Sequence, residues 1–466
     1  MRRILHLVPQ LGFGGGSRAA ITVASTCVSD TEEHTVASIR PSVGAMASQA
    51  QHSGVQVLDG VPLPRLLEAI GATDVTLVHL WNSPELHEVL ECDLPPCRLL
   101  VWTHVAGHTP PQVLPPEIFA RATETVATSE LAADWVRIAS PGAPVRVIPP
   151  VGGWDRVQGV SRSARAGFNL GYIGTVAFTR ISPRFVTMSL AAGVDEARFI
   201  VCGDGSAAPI LRKEAEERGV AERFDFRGQL RGIGAALADF DLFGYPLRSG
   251  TSGSSDLSVK EAMYAGVPPV VLKGTACDQL VEDGQTGIVA RDEAAYSRTI
   301  ERLHGDQDER ERLANNARTH ATEEWTPSRW VPAWKRCFDR VMEHHPQSGP
   351  VLAPPDPDLT EGAARFLRAL DGRAPEFELS IHDSAAEASA AAERISECDP
   401  LLAYEDNGLF DHRRRYPADP VLALWTGLFL KGQGRPALAA GELARARRLG
   451  LDPTGVAAHA SVRGAG

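Results

Sequence analysis

Four stretches of this chain combine glycine, histidine and charge at turn-like spacings, and each suggests a chemistry. Gly12 to Arg18, GFGGGSR, follow an apolar run. A glycine-rich turn opening a helix lets backbone N–H groups approach a phosphate, and the helix N-terminus favours negative charge. The same pattern also serves as a plain strand-to-helix turn. A dinucleotide site would want glycine at position 17, where Ser17 stands, and an acidic residue near the next strand end, where Arg40 stands. The second stretch is WTHVAGHTPP, at a strand's C-terminal end, where His104 and His108 can hydrogen-bond a ligand hydroxyl or simply find local partners; His79 ends the neighbouring run VTLVHL. The third, GYIGTVAFTRISPR, places Arg180 and Arg184 just past a glycine turn, where guanidinium groups can clamp a diphosphate; Arg184 also reads as a solvated charge. The fourth, GTSGSSDLSVKEAMYAGVPPVVL, runs from a Gly/Ser loop into a helix with Glu261 one turn inside. A carboxylate there can accept both hydroxyls of a ribose, although Ser258 and Glu261 also have capping-box spacing.

These residues need a scaffold to hold them. ILHLVP, HTVASI, VTLVHL, RLLVWTH, TVATS and VRVIP are short β-rich runs separated by helical patterns, which predicts a parallel sheet with crossover helices over residues 1–155. The polar stretch 152–167 reads as a linker. A second α/β series follows, with strands in FNLGYIG, ARFIVCG, RFDFRG, FDLFGYP and PPVVL. Ligands in such open sheets sit at the strands' carboxyl ends. After TPSRWVPAWKRCFDRVMEHH comes a Pro-rich segment, 348–358, and then an Ala- and Arg-rich, all-helical stretch. Within that stretch, Trp425, Gly427, Gly434, Ala439, Leu443, Ala446 and Pro453 fit one tetratricopeptide-type hairpin. A lone repeat must pack on neighbouring helices or on a partner.

With 466 residues, 43% hydrophobic, the chain has room for two or three domains. A net charge of −11 argues against a general nucleic-acid or anionic-membrane binder, while leaving room for a local basic pocket. No apolar run is long enough for a membrane span, and the N-terminus reads as a strand, so a cytoplasmic location is expected. The seven cysteines form no C-x-x-C pair and no His/Cys cluster, so neither a disulfide framework nor a zinc site is expected.

Taken together, these motifs resemble the GT-B fold glycosyltransferases of family 4. PQLGFGGGSR resembles that family's N-terminal loop, FIVCGDGS its G-x-G strand, FDFRGQL its F-x-G strand, and DQLVEDGQTGIVA its E-x-V-x-x-G-x-x-G segment. KEAMYAGVPPVV resembles the helix that carries the second glutamate of its E-x7-E motif, at Glu261, with the strand that follows, and TPSRW the start of its crossing-back helix. The resemblance covers about residues 1–345 and is most specific in the second half. It implies an α/β GT-B fold of two Rossmann-like domains facing across a cleft: an acceptor domain over 1–155, a donor domain with crossover helix over 156–345, and a helical accessory domain over 350–466. It also implies a retaining transfer from a GDP- or UDP-sugar to a small-molecule acceptor, with no obligatory metal or other cofactor. Gly14, Gly15 and Gly16 would border the donor diphosphate, His104 would touch the donor sugar, and Glu261 would hold the ribose. Asp256, Leu257 and Ser258 would start the helix facing the phosphates. Gly174 and Arg180 would complete the donor side, with His104, Arg180 and Glu261 the catalytic set and His79 and His108 on the acceptor side.

Two positions depart from the family pattern. The first glutamate of E-x7-E falls at Gly253, and the arginine after the strand glycine is Thr175; the lysine slot holds Arg180, which keeps a charge. Losing the glutamate removes a partner for the donor sugar. This suggests an unusual sugar in specialised, antibiotic-type metabolism, with a thiol acceptor among the options, or else an impaired enzyme acting as a GT-B scaffold that binds other proteins. The helical domain is expected to mediate homo-oligomerisation, cover the cleft or bind a partner.

Overall fold

The computed structural model describes residues 1–451 except 45, 153, 162–166 and 382–384. Pro453, in the expected hairpin, lies outside the described residues. Seven strands form the first sheet: β1 (Arg2–Gln10), β2 (Glu32–Arg40), β3 (Gln56–Leu58), β4 (Val75–Leu80), β5 (Leu99–Thr103), β6 (Glu124–Ala127) and β7 (Val145–Val147). Their order is β3-β2-β1-β4-β5-β6-β7, with every pairing parallel. The second sheet comprises β8 (Phe168–Ile173), β9 (Ala197–Cys202), β10 (Phe224–Gly228), β11 (Leu242–Tyr245), β12 (Pro269–Leu272) and β13 (Ile288–Ala290). It is also parallel, in the order β10-β9-β8-β11-β12-β13. Central strands such as β4 and β8 are buried along their whole length, which is why they read as continuous apolar runs and not as alternating ones.

Each sheet reverses its winding beside its first strand, between β1 and β4 and between β8 and β11. Such switch points open a crevice at the strands' carboxyl ends. The glycine loop after β1 and the Gly174 turn after β8 both line one cleft between the sheets. The helix Pro327–Met342 crosses back to the first lobe, where Trp334 packs edge-on against Trp102 at 4.6 Å and Arg340 pairs with Glu124.

The helices from Glu361 to Arg448 close around a core that includes Phe366, Phe377, Trp425 and Phe429. The hairpin of Pro420–Gly432 and Pro436–Arg448 packs against earlier helices of this same region, as a lone repeat must. Gly427 allows this close approach, since a Cβ there would meet Leu443 at 2.7 Å. The region is docked on the first lobe through charge. Arg365 and Arg368 grip Glu91, Arg415 reaches Glu85 and Glu88, and Gln112 donates to the Asp406 carbonyl at 2.6 Å. The segment before it is strapped to the first lobe by the Val351 amide on the Leu90 carbonyl at 2.7 Å.

Candidate active site

The cleft has a volume of about 820 Å³. Gly14, Gly15, Gly16, His104, Gly174, Thr175, Arg180, Asp256, Leu257, Ser258 and Glu261 all line it, so the structure brings most of the expected residues together.

The glycine loop lines the cleft, and at Gly16 it has no room for a side chain. A Cβ on Gly16 would fall 1.9 Å from the Trp81 ring, and one on Gly15 would meet Leu257 of the opposite lobe at 3.5 Å. Ser17 has its own structural use: its hydroxyl accepts from the Gly12 amide at 3.0 Å and reaches the Gln10 carbonyl at 3.3 Å, closing the loop. The helix that follows starts at Gly15 and has no side-chain cap, so its first amides are not claimed by a capping group.

Arg180 is the central cation of the second lobe. Burial works against its charge, but Asp256 and Glu405 beside it hold its pKa above the ordinary arginine value. Its Nη1 is buried without a hydrogen-bond partner. Asp256 in turn accepts from Tyr245 Oη at 3.3 Å and Cys277 Sγ at 3.2 Å. Arg184 points elsewhere and pairs with Glu293 at 2.7 Å on the surface.

Glu261 does not form the capping box that its spacing allows. The helix begins after Asp256, and Glu261 faces inward to Arg156 Nη1 at 2.9 Å and Arg18 Nη1 at 4.0 Å. Arg156 comes from the stretch read as a linker. It is placed there by Trp154, which stacks on Tyr264 at 4.9 Å and donates to the Trp325 carbonyl at 3.0 Å. Next to Glu261, Lys260 is fully buried, donates to the Pro150 carbonyl at 2.8 Å and lies over the Trp325 ring; burial pulls its pKa down to about 7.

Three expected site residues stand apart. His79 is completely buried and does not line the cleft; it lies inside the central strand β4, one residue before its end, behind His104. His108 is carried away by the turn at Gly107, whose φ of 86° redirects the loop, and its carbonyl accepts from Arg373 of the helical region. Gly253 does not line the cleft either. It makes an isolated bridge with Val105 of the first lobe, and a Cβ there would lie 2.7 Å from Arg180 Nη1.

Sequence reasoning missed two further features. The first is a row of four imidazoles crossing adjacent strands. His34 Nδ1 meets His6 Nε2 at 2.8 Å, His6 Nδ1 meets His79 Nε2 at 3.0 Å, and His79 Nδ1 meets His104 Nε2 at 3.0 Å. At the cleft end, Trp81 stacks on His104 at 4.4 Å. Burial drives all four toward the neutral form, His104 to about 3 and His34 to about 4. The second is the turn Glu405–Asn407 of the helical region, which lines the cleft opposite Arg180. No signal in the sequence marks that turn as part of a site.

Known proteins share the fold. Residues 168–306 match the family model described as Glycosyl transferases group 1. An alpha-D-kanosaminyltransferase of Streptomyces kanamyceticus is 31% identical over 126 residues, spanning 26% of this chain and 32% of that enzyme. The structure of Anabaena HepE with UDP and glucose superposes with a TM-score of 0.62 at 15% identity, covering 73% of this chain and all of that one. A glycosyltransferase from Rickettsia africae gives 0.61 at 10% identity, covering 74% of this chain and 99% of that one. Sucrose-phosphate synthase from Thermosynechococcus elongatus gives 0.58 at 15% identity, over 74% and all of the respective chains. No helix among the described residues is long and apolar enough to cross a membrane. The chain thus has the GT-B fold, and its residues 168–306 match the group 1 glycosyl transferases.

Proposed function

We propose that this chain is a retaining, metal-independent glycosyltransferase of the cytoplasm. It moves a sugar from a UDP- or GDP-sugar to a small-molecule acceptor in specialised metabolism. The observation that carries this reading is the meeting, in one cleft, of the uncapped glycine-loop helix and the buried Arg180, whose Nη1 lacks a partner. Both suit a leaving diphosphate. The likeness to the kanosaminyltransferase supports the specialised-metabolism part, and the UDP and glucose bound in the HepE structure support the donor class.

Chemically, the bond between the sugar's anomeric carbon and the diphosphate oxygen breaks while the acceptor's nucleophile bonds to the same face of that carbon. The acceptor's proton passes to the departing phosphate oxygen, so no separate protein base is required. Arg180 and the amides of Gly14 to Gly16 stabilise the charge that develops on the diphosphate, and they are in place before reaction. His104, neutral at working pH, offers a hydrogen bond to the sugar without placing a competing charge beside it.

Thermal unfolding with UDP, GDP, ADP, TDP and NADP tests this. A ligand at about 100 times its Kd adds about 2.7 kcal/mol, so a selective rise in Tm with one diphosphate, lost in Glu261→Ala, is expected. A rise with NADP alone overturns the reading. Binding of a diphosphate without any sugar release from its conjugates favours the scaffold role that Gly253 and Thr175 first suggested.

A further inference from the structure

We propose that Glu405, carried by the helical region, is the carboxylate that holds the transferred sugar; this rests on the donor reading above. Gly253 puts no carboxylate into the cleft, and the neighbouring Ser252, which does line it, binds Glu405. Its amide donates to Glu405 Oε1 at 3.2 Å, and its hydroxyl bonds the same oxygen. Glu405 is 6% exposed and lines the cleft, and its Oε2 has no hydrogen-bond partner. Arg180 Nη1, whose field acts on Glu405, is equally unpartnered.

Two orphaned polar atoms of opposite type in one cleft are costly to leave unpaired. One sugar hydroxyl resolves both, donating to Glu405 Oε2 and accepting from Arg180 Nη1, whereas a sugar ammonium satisfies the carboxylate alone. Burial raises the Glu405 pKa, while Ser252 and Arg180 oppose that rise. The carboxylate is therefore held in place before a sugar arrives.

The position of Glu405 is not accidental to the docking. The turn is held from the first lobe by Gln112 on the Asp406 carbonyl at 2.6 Å and by Asn407 Nδ2 on the Pro111 carbonyl at 3.3 Å. Arg248 of the second lobe pairs with Asp399, just before the short helix Leu401–Tyr404 that leads into Glu405. The helical region thus contributes a wall of the donor site, fixed to both lobes.

The test compares each free diphosphate with its sugar conjugate by calorimetry, using UDP and UDP-glucose, GDP and GDP-glucose, and TDP and TDP-glucose. Glu405→Gln keeps the size of the side chain and an acceptor for Ser252 but removes the charge. It is expected to leave the affinity for the free diphosphate within about twofold and to weaken the sugar conjugate about 10- to 100-fold, the range of a charge-assisted bond. Ser252→Ala, which removes the hydroxyl bond on Glu405 Oε1 and keeps the backbone one, is expected to give a smaller loss confined to the conjugate. Equal effects on diphosphate and conjugate, or none on either, overturn the assignment of Glu405. If the unaltered chain binds none of the three diphosphates, the donor reading fails and this inference with it.

Discussion

Replacing Glu91 by alanine should loosen the helical region from the first lobe. Glu91 accepts from Arg365 at 2.7 and 2.8 Å and also pairs with Arg368. Arg365 is 5% exposed at its side chain, and its remaining acid partner, Glu361, is 57% exposed. Removing one member of a buried pair costs about 3–5 kcal/mol because the other charge is left buried. Arg365 keeps Glu361, and Arg368 keeps the Ala353 and Pro354 carbonyls, so the lower end applies. About 3 kcal/mol is roughly a hundredfold rise in the undocked population. The assay is native-state proteolysis after residue 348, whose rate follows that population while redocking is faster than cleavage. The pair Glu91→Ala with Arg365→Met should recover most of the loss, since no buried charge is then orphaned. A cost below about 1 kcal/mol, the range of exposed ion pairs, would refute the claim that docking is carried by a desolvated charge.

Other consequences follow from the same geometry. Gly16→Ala drives a Cβ into Trp81 and so shifts the ring stacked on His104. A displacement of about 1 Å beside a reacting centre costs on the order of a hundredfold, so sugar transfer should fall by that order while circular dichroism shows the fold intact; unchanged turnover would count against the stack. Burial holds His87 near about 3 and His34 and His412 near about 4, against an ordinary 6.5. The unfolded chain protonates these rings before the folded one does, so their stabilisation is complete above pH 6.5 and is lost as pH falls toward 4. The loss is up to about 3 kcal/mol per ring. A Tm profile flat from pH 7 to 4 would contradict this, and His87→Leu should reduce its slope. Asp256→Asn removes a carboxylate beside Arg180; the guanidinium stays charged while the pocket loses a negative charge, so free-diphosphate binding should tighten, by up to about tenfold. An unaltered Kd would separate Asp256 from the site.

Much of the framework was legible because buried parallel strands are written as apolar runs between turns, and glycine turns mark their carboxyl ends. The loop after β1, the Gly174 turn and the helix at Leu257 are all local signals, and the cleft unites them. Other parts depend on register, which no local pattern records. His34, His6, His79 and His104 become a row only because β2, β1 and β4 lie side by side and the chain leaves β5 beside them. His79 looked like a cleft residue because its position along β4 is right, while its side chain is enclosed. Arg156 lay in a stretch whose polarity reads as linker. Glu405 reaches the cleft through arginine–glutamate contacts that join segments some three hundred residues apart, such as Arg415 and Glu88.

The imidazole row also has a direction. Its hydrogen bonds can all run one way or all the other, and its outer end decides which. His34 Nε2 is buried with no hydrogen-bond partner, and a bare lone pair there avoids an orphaned N–H, the rarer group to leave unpaired in a protein interior. With that lone pair fixed, His34 donates from Nδ1 to His6, His6 to His79, and His79 to His104. His104 Nε2 is then the acceptor, which leaves its proton on Nδ1. Whether His104 gives or takes a hydrogen bond in the cleft is thus set by a residue on β2, three rings away. The sheet transmits a choice of tautomer across its width without moving a single strand.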